Sequence, residues 1–170
     1  MDYKPQTAFF SGYRTKKLLK YNSAPFGELR EKLRATLLEL YNFGYKRFIC
    51  GMGEGFDLVA AEEVLKFREI KPLVELMAAV PYIGHERSFS MEEKGLYYDL
   101  LTKADEVKVL CNNPVNIGGA HLLRNEYMLG ESSVLVCYFD EAKSEPRSGT
   151  QYNVRHARKE GLRVINLFRC

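Results

Sequence analysis

Glu54 and Asp57 stand three residues apart in the segment CGMGEGFD (50–57), among Gly51, Gly53 and Gly55. Two carboxylates at this spacing can accept hydrogen bonds from sugar hydroxyls or a base. They can also move a proton, so both are candidate catalytic residues as well as candidate ligand contacts. The glycines invite comparison with a dinucleotide fingerprint, but the pattern fails. Phe56 occupies the place of the last glycine of G-x-G-x-x-G, and AAVPYIG stands where an acid is needed about 20 residues further on. No Gly-Lys-Ser/Thr occurs, which excludes a P-loop. Read as the first turn of a helix, the segment puts Glu54 and Asp57 where they complement the positive end of the macrodipole and repel a phosphate. The simpler alternative is that both acids only cap that helix.

An anion is better served elsewhere. The stretch PRSGTQYNV opens a helix with Ser148, Gly149 and Thr150 and no acid in its first turn. Free backbone N–H groups and a hydroxyl at such a start form an anion site. Arg14, following Ser11 and Gly12 in FSGYR, offers a planar bidentate donor, and Arg124 is a third basic candidate. Pro81 ends an apolar run and begins another loop, PYIGHERSF. Tyr13, Tyr82, Phe89 and Tyr152 are placed to stack on a base. His85, His121 and His156 lack metal-ligand spacing and no G-x-S-x-G elbow occurs, so neither a metal nor a serine nucleophile is expected.

These residues fall between alternating elements. TAFFSG (7–12), YKRFICG (45–51), LVELMAAVP (73–81), EVKVLC (106–111), SSVLVCYF (132–139) and RVINLF (163–168) read as six strands. Between them, Phe26, Leu29, Leu33, Leu37 and Leu40 recur at helical spacing before Gly44. FDLVAAEEVLKFRE, MEEKGLYYDLLTKA, residues 120–129 closed by Gly130, and GTQYNVRHARKEG complete the helical set. Near-continuous apolar strands suit a parallel sheet covered on both faces. The expectation is an α/β fold: one three-layer α/β/α Rossmann-like domain over 1–170, mostly parallel, with strand order 3-2-1-4-5-6. Ligands in such sheets bind outside the carboxyl ends of the strands, where strand order reverses, which is where the candidate residues lie.

With 170 residues, 46% hydrophobic and 28% charged, the chain has the composition of an ordinary globular protein, and its net charge of +3 is too small to argue for nucleic acid. No apolar run reaches the roughly 18 residues of a membrane span, and the N-terminus lacks a signal-peptide layout, so the cytoplasm is expected and a membrane partner is not. Cys50, Cys111, Cys137 and Cys170 lie far apart and are expected reduced, the first three as small core residues.

Taken in order, the loops resemble the YpsA-like family of the SLOG superfamily. FSGYR is similar to its TGHR start, and CGMGEGFDLVAAE to SGMALGVDxWAAE. AAVPYIGHERSF resembles its third-strand loop. YDLLTKADEVKVL and RNEYMLGESSVLVCYFD are similar to ADxVxxV and RNxYMVDxSDxLIAVxD, and SGTQYNVRHARKEGLRVINL to GGTxxTVxYAxKxG. The resemblance covers essentially the whole chain. It implies a Rossmann-like fold and a ligand derived from a nucleotide, of ADP-ribose or NAD kind, with no other cofactor. Three departures stand out. Asn153 replaces the glutamate that assists N-glycosidic cleavage in the related phosphoribohydrolases, and an amide cannot serve as general acid or base. Gly130 replaces the family's aspartate, and Phe89 its tryptophan.

The leading expectation is therefore a binding or sensing domain for a nucleotide derivative. In it, Gly12, Arg14, Gly149 and Thr150 hold phosphate, and Glu54 and Asp57 hold ribose or base. One alternative is a nucleotide N-glycosidic hydrolase using Glu54 or Asp57. Another is single-stranded DNA binding like that of DprA, through Arg14, Lys16, Lys17 and Lys20, against which the small net charge speaks. The oligomeric state is left open, a homo-oligomer included.

Overall fold

A computed structural model describes residues 2–169, so Cys170 lies outside the described residues. The strands are β1 (Thr7–Gly12), β2 (Arg47–Cys50), β3 (Glu75–Val80), β4 (Glu106–Val109), β5 (Val134–Tyr138) and β6 (Arg163–Asn166). The helices are α1 (Thr15–Leu18), α2 (Gly27–Asn42), α3 (Phe56–Ile70), α4 (Met91–Lys103), α5 (Ile117–Glu131) and α6 (Gly149–Lys159). All strand pairings are parallel, with Ala8 opposite both Phe48 and Val134. Helices α2, α3 and α4 pack side by side over one face, and α5 packs with α6 over the other.

The strand order is β4-β3-β2-β1-β5-β6, not the expected 3-2-1-4-5-6. Burial explains the difference. β5 is buried at all five positions and takes the central place beside β1. β4 reads EVKV, and its first three residues are exposed. Glu106 and Lys108 would be costly in the middle of a covered sheet but suit an edge, where charge also discourages pairing with another chain. The chain thus steps outward from β1 to β4 and then returns to the other side of β1. The order reverses between β1 and β5.

Leu29, Leu33, Leu37 and Leu40 form the buried stripe of α2, as the spacing predicts. The α2–α3 contact also carries a charged lock: the covered Glu63 carboxylate accepts from Arg30 Nη1 at 3.0 Å and Arg34 Nε at 2.9 Å. Burial pushes the Glu63 carboxyl up, but the two arginines more than offset this and hold it below its ordinary range. Two helices differ from expectation. α1 has no counterpart among the expected helices. α5 starts earlier, at Ile117, because Asn116 Oδ1 accepts from the N–H of Gly118 at 2.9 Å and of Gly119 at 3.4 Å. It then continues through Gly130, which therefore does not close it. Two weak helix formers hid a start fixed by its cap.

The β1 and β2 ends meet through glycines. A Cβ on Gly12 would lie 2.5 Å from the Phe56 ring. Gly55 has φ +80°, and a Cβ there would lie 2.6 Å from Tyr13 O and Thr15 N. Its neighbour Phe56 donates its N–H to Tyr13 O at 3.0 Å. Gly55→Ala combines a left-handed backbone with a clash against main chain, so it should lower the unfolding free energy by about 2–4 kcal/mol. Urea denaturation measures this, and an unchanged midpoint would contradict the packing described.

Candidate functional site

A cavity of about 570 Å³ opens where the strand order reverses. Of the residues singled out above, it brings together Ser11, Gly12, Arg14, Gly53, Glu54, Asp57, Arg124, Ser148, Gly149 and Thr150. Gly51, Gly55 and Pro81 do not line it. Gly51 acts from behind: its carbonyl accepts from Arg124 Nη1 at 2.9 Å, and a Cβ on it would lie 3.2 Å from that side chain. Gly55 supports the loop from below. Pro81 extends the β3–β4 ladder, its carbonyl accepting from Cys111 N–H at 3.0 Å.

The acidic turn differs from the expected first turn of α3. The helix begins at Phe56, so Asp57 is within its first turn while Glu54 precedes the Gly55 N-cap. Asp57 is 8% exposed, and its Oδ2 accepts from Gly53 N–H at 3.1 Å. Burial raises its carboxyl to about 6, against the pull of Arg124, the Gly53 N–H and Arg14. Burial and Glu93 also raise Glu54, opposed by Arg14. Beneath the turn, Cys50 Sγ donates to Asp57 O at 3.2 Å, and burial keeps this thiol protonated.

The opposite wall is the start of α6, whose first turn contains no acid. Ser148 Oγ caps it by accepting from Gln151 N–H. Ser11 Oγ and Thr150 Oγ1 share a hydrogen bond of 3.0 Å, and Asn153 Nδ2 donates to the same Ser11 oxygen at 3.0 Å. Asn153 Oδ1 is buried with no partner. Asn153 is therefore tied to the end of β1 as well as lining the cavity.

The separation of basic and acidic groups is incomplete. Arg124 leans on Gly51 O, beside the acidic turn, and Asp57 supports its charge against the effect of burial. Arg14 is exposed, lines the cavity, and pulls down both carboxyls of the acidic turn. Lys17 pairs with Glu145 at the rim, joining α1 to the loop before α6, and its Nζ lies 4.7 Å from the Tyr13 ring centre. This leaves the basic run less open than its sequence suggests.

Among the aromatics, Tyr13, Tyr82 and Phe89 line the cavity and Tyr152 does not; its ring lies 4.1 Å from that of His156. Lining residues that have no functional reading in the sequence include His85, His121, Asn125 and Glu145. The available signal was spacing on α5, where His121, Arg124 and Asn125 follow at three and four residues and so share a helix face. Burial and Arg124 hold both imidazoles down to about 4. Among the described residues no group of three or more His, Cys, Asp or Glu is placed to hold a metal ion. No helix among them is long and apolar enough to cross a membrane.

In comparison with known proteins, residues 8–167 match the YpsA family model, described as the YspA SLOG family. Similar proteins include a UPF0398 protein of Halalkalibacterium halodurans, 28% identical over 145 residues, which cover 84% of this chain and 75% of that protein. Another is the SPbeta prophage-derived protein YoqJ of Bacillus subtilis, 30% identical over 136 residues, covering 74% and 80%. A UPF0398 protein of Bacillus cereus is 24% identical over 133 residues, covering 78% and 71%.

The Asp57 environment makes stability depend on pH in a defined sense. Its folded carboxyl titrates near 6 and its unfolded one near 3.8, so between these values the folded chain holds the extra proton. Stability from this group is therefore full below pH 3.8 and is lost as pH rises from there through about 6. Asp57→Asn removes the titrating group, so relative to wild type it should gain about 2–3 kcal/mol on going from pH 4 to pH 7.5. Paired urea unfolding curves at the two pH values measure this. Parallel behaviour of both proteins would count against a buried, desolvated carboxylate.

Proposed function

The chain belongs to the YspA SLOG family, and from that premise we propose that it binds a nucleotide-derived small molecule, of ADP-ribose or NAD kind, in the cavity between β1 and β5. The supporting observation is the pairing of two unlike walls on one hollow. The acid-free start of α6, with Ser148, Gly149 and Thr150, faces the cavity that also contains Asp57, Glu54 and the Tyr82 and Phe89 rings. Helix starts leave backbone N–H groups without intrahelical partners and favour negative charge. In this reading the α6 start and Arg14 receive the phosphate, while Asp57 and Glu54 accept hydrogen bonds from ribose hydroxyls. A volume of about 570 Å³ falls within the roughly 300–1,000 Å³ typical of small-molecule sites.

A second reading, hydrolysis of an N-glycosidic bond, draws on a separate observation. Asp57 lies on the cavity, and burial raises its carboxyl to about 6, so it can hold or accept a proton near neutrality. It would take over the role left vacant by Asn153, whose amide cannot titrate.

Thermal unfolding with ADP-ribose, NAD and AMP tests the first reading. A ligand at about 100 times its Kd adds about 2.7 kcal/mol, or roughly 5–10 °C for a chain of this size. Thr150→Val and Arg14→Ala should each remove most of that shift. No stabilisation by any of the three at millimolar concentration would sink the proposal. For the second reading, the protein is incubated with AMP and NAD and free base is measured. Release by wild type and at least a hundredfold less by Asp57→Asn would establish hydrolysis, whereas equal traces from both would leave binding alone.

A further inference from the structure

His85 and His121 line the same cavity as the start of α6, and their chemistry is not used by the reading above. His85 is 7% exposed, yet it lines the hollow, and its Nε2 is buried without a hydrogen-bond partner. His121 is half-buried, lines the same hollow, and its Nδ1 is likewise buried and unpartnered. Buried polar atoms normally find partners, so two orphaned ring nitrogens on one cavity mark a place where a ligand supplies them. Tyr82 completes the group. Its ring centre is 6.0 Å from that of His85 and 5.9 Å from that of His121, and the two imidazoles are 6.4 Å apart, all in edge-to-face orientations. Phe89, which also lines the cavity, and the buried Tyr97 pack on His85 at 5.6 and 5.2 Å, holding its ring in place.

The charges facing this cluster come from several elements. Arg124 on α5 and Arg14 after β1 face both imidazoles, and Glu86 lies in the turn that carries His85. Burial and the two arginines keep both rings uncharged at neutral pH. Arg124 donates through Nη1 to Gly51 O and Asp57 supports its charge, while its Nε is buried without a partner. An uncharged imidazole nitrogen either donates or accepts, according to tautomer, and two of them suit a ring edge that presents both kinds of atom.

We infer that His85 and His121, with Tyr82, form a subsite for the uncharged heteroaromatic ring of the ligand, hydrogen-bonding its polar edge while its phosphate lies at the start of α6. This rests on the nucleotide-derived ligand proposed above and adds which side chains receive the base. The two imidazoles are contacts to the ligand and carry no proton-transfer role here.

Calorimetric titration with AMP and with ribose 5-phosphate separates the base from the rest of the ligand. His85→Ala and His121→Ala should each weaken AMP binding about tenfold and leave ribose 5-phosphate within about twofold. His85→Gln and His121→Asn, which return a polar atom near Nε2 and Nδ1 respectively, should recover most of the loss. His121 is half-exposed, so His121→Ala carries the test if His85→Ala loses its fold. Ring proton resonances give an independent readout, because both imidazoles should remain uncharged from pH 5.5 to 8 with AMP bound. Protonation of either ring on AMP binding would mean that the phosphate sits there, and would overturn the assignment. Equal losses for both ligands, or no loss for either, would overturn it too. Failure of both ligands to bind wild type would instead remove the nucleotide reading itself, and this one with it.

Discussion

The site depends on how closely the loop after β1 approaches the loop after β2. Gly55 lies against the main chain of Tyr13 to Thr15 with no room for a side chain, and Gly12 leaves the space that the Phe56 ring fills. A single carboxylate then ties the junction from a third element. Glu93 Oε2 accepts from Thr15 Oγ1 at 2.7 Å and from Gly55 N–H at 3.0 Å. Ser90 caps α4 by accepting from Glu93 N–H, which fixes the backbone from which Glu93 reaches out. The S-x-x-E pattern usually turns the glutamate back toward its own cap. Here most of its bonding goes outward, into the loops that carry Arg14 and Asp57. Their separation is set by main-chain contacts, which deform much less than surface side chains.

Upon that frame the electrostatics are mixed by design of the fold. A parallel sheet brings every strand's carboxyl end to one edge, so unlike loops must share one hollow. Acid, guanidinium, imidazole and helix terminus therefore influence one another across short, poorly hydrated distances. Asp57 is raised by burial though two arginines pull it down, and both histidines are lowered by burial and by those same arginines. Uncharged imidazoles beside a charged guanidinium are the outcome.

The α/β layering was legible because β1, β2, β3 and β5 lie in short apolar runs and α2 shows its stripe at Leu29, Leu33, Leu37 and Leu40. Strand order was less legible, since alternation of elements does not say on which side of β1 a strand pairs. The charges of β4 and the fully apolar β5 did contain that information. Loop residues at strand ends could be named because topology sends them to one edge. What the sequence could not show was direction. Gly51 and Gly55 were grouped with Gly53 by proximity, yet only Gly53 lines the hollow, because the φ values of Met52 (60°) and Gly55 (80°) turn successive residues different ways. His85 and His121 lie 36 positions apart by number, and only the fold makes their rings neighbours.

The Lys17–Glu145 pair links α1 to the segment before α6 at the lip of the hollow, with both side chains partly in solvent. An ion pair of that kind contributes only about 0–1 kcal/mol, less as salt rises. Opening that pair alone thus demands little more than thermal energy, and ionic strength tunes how often it opens.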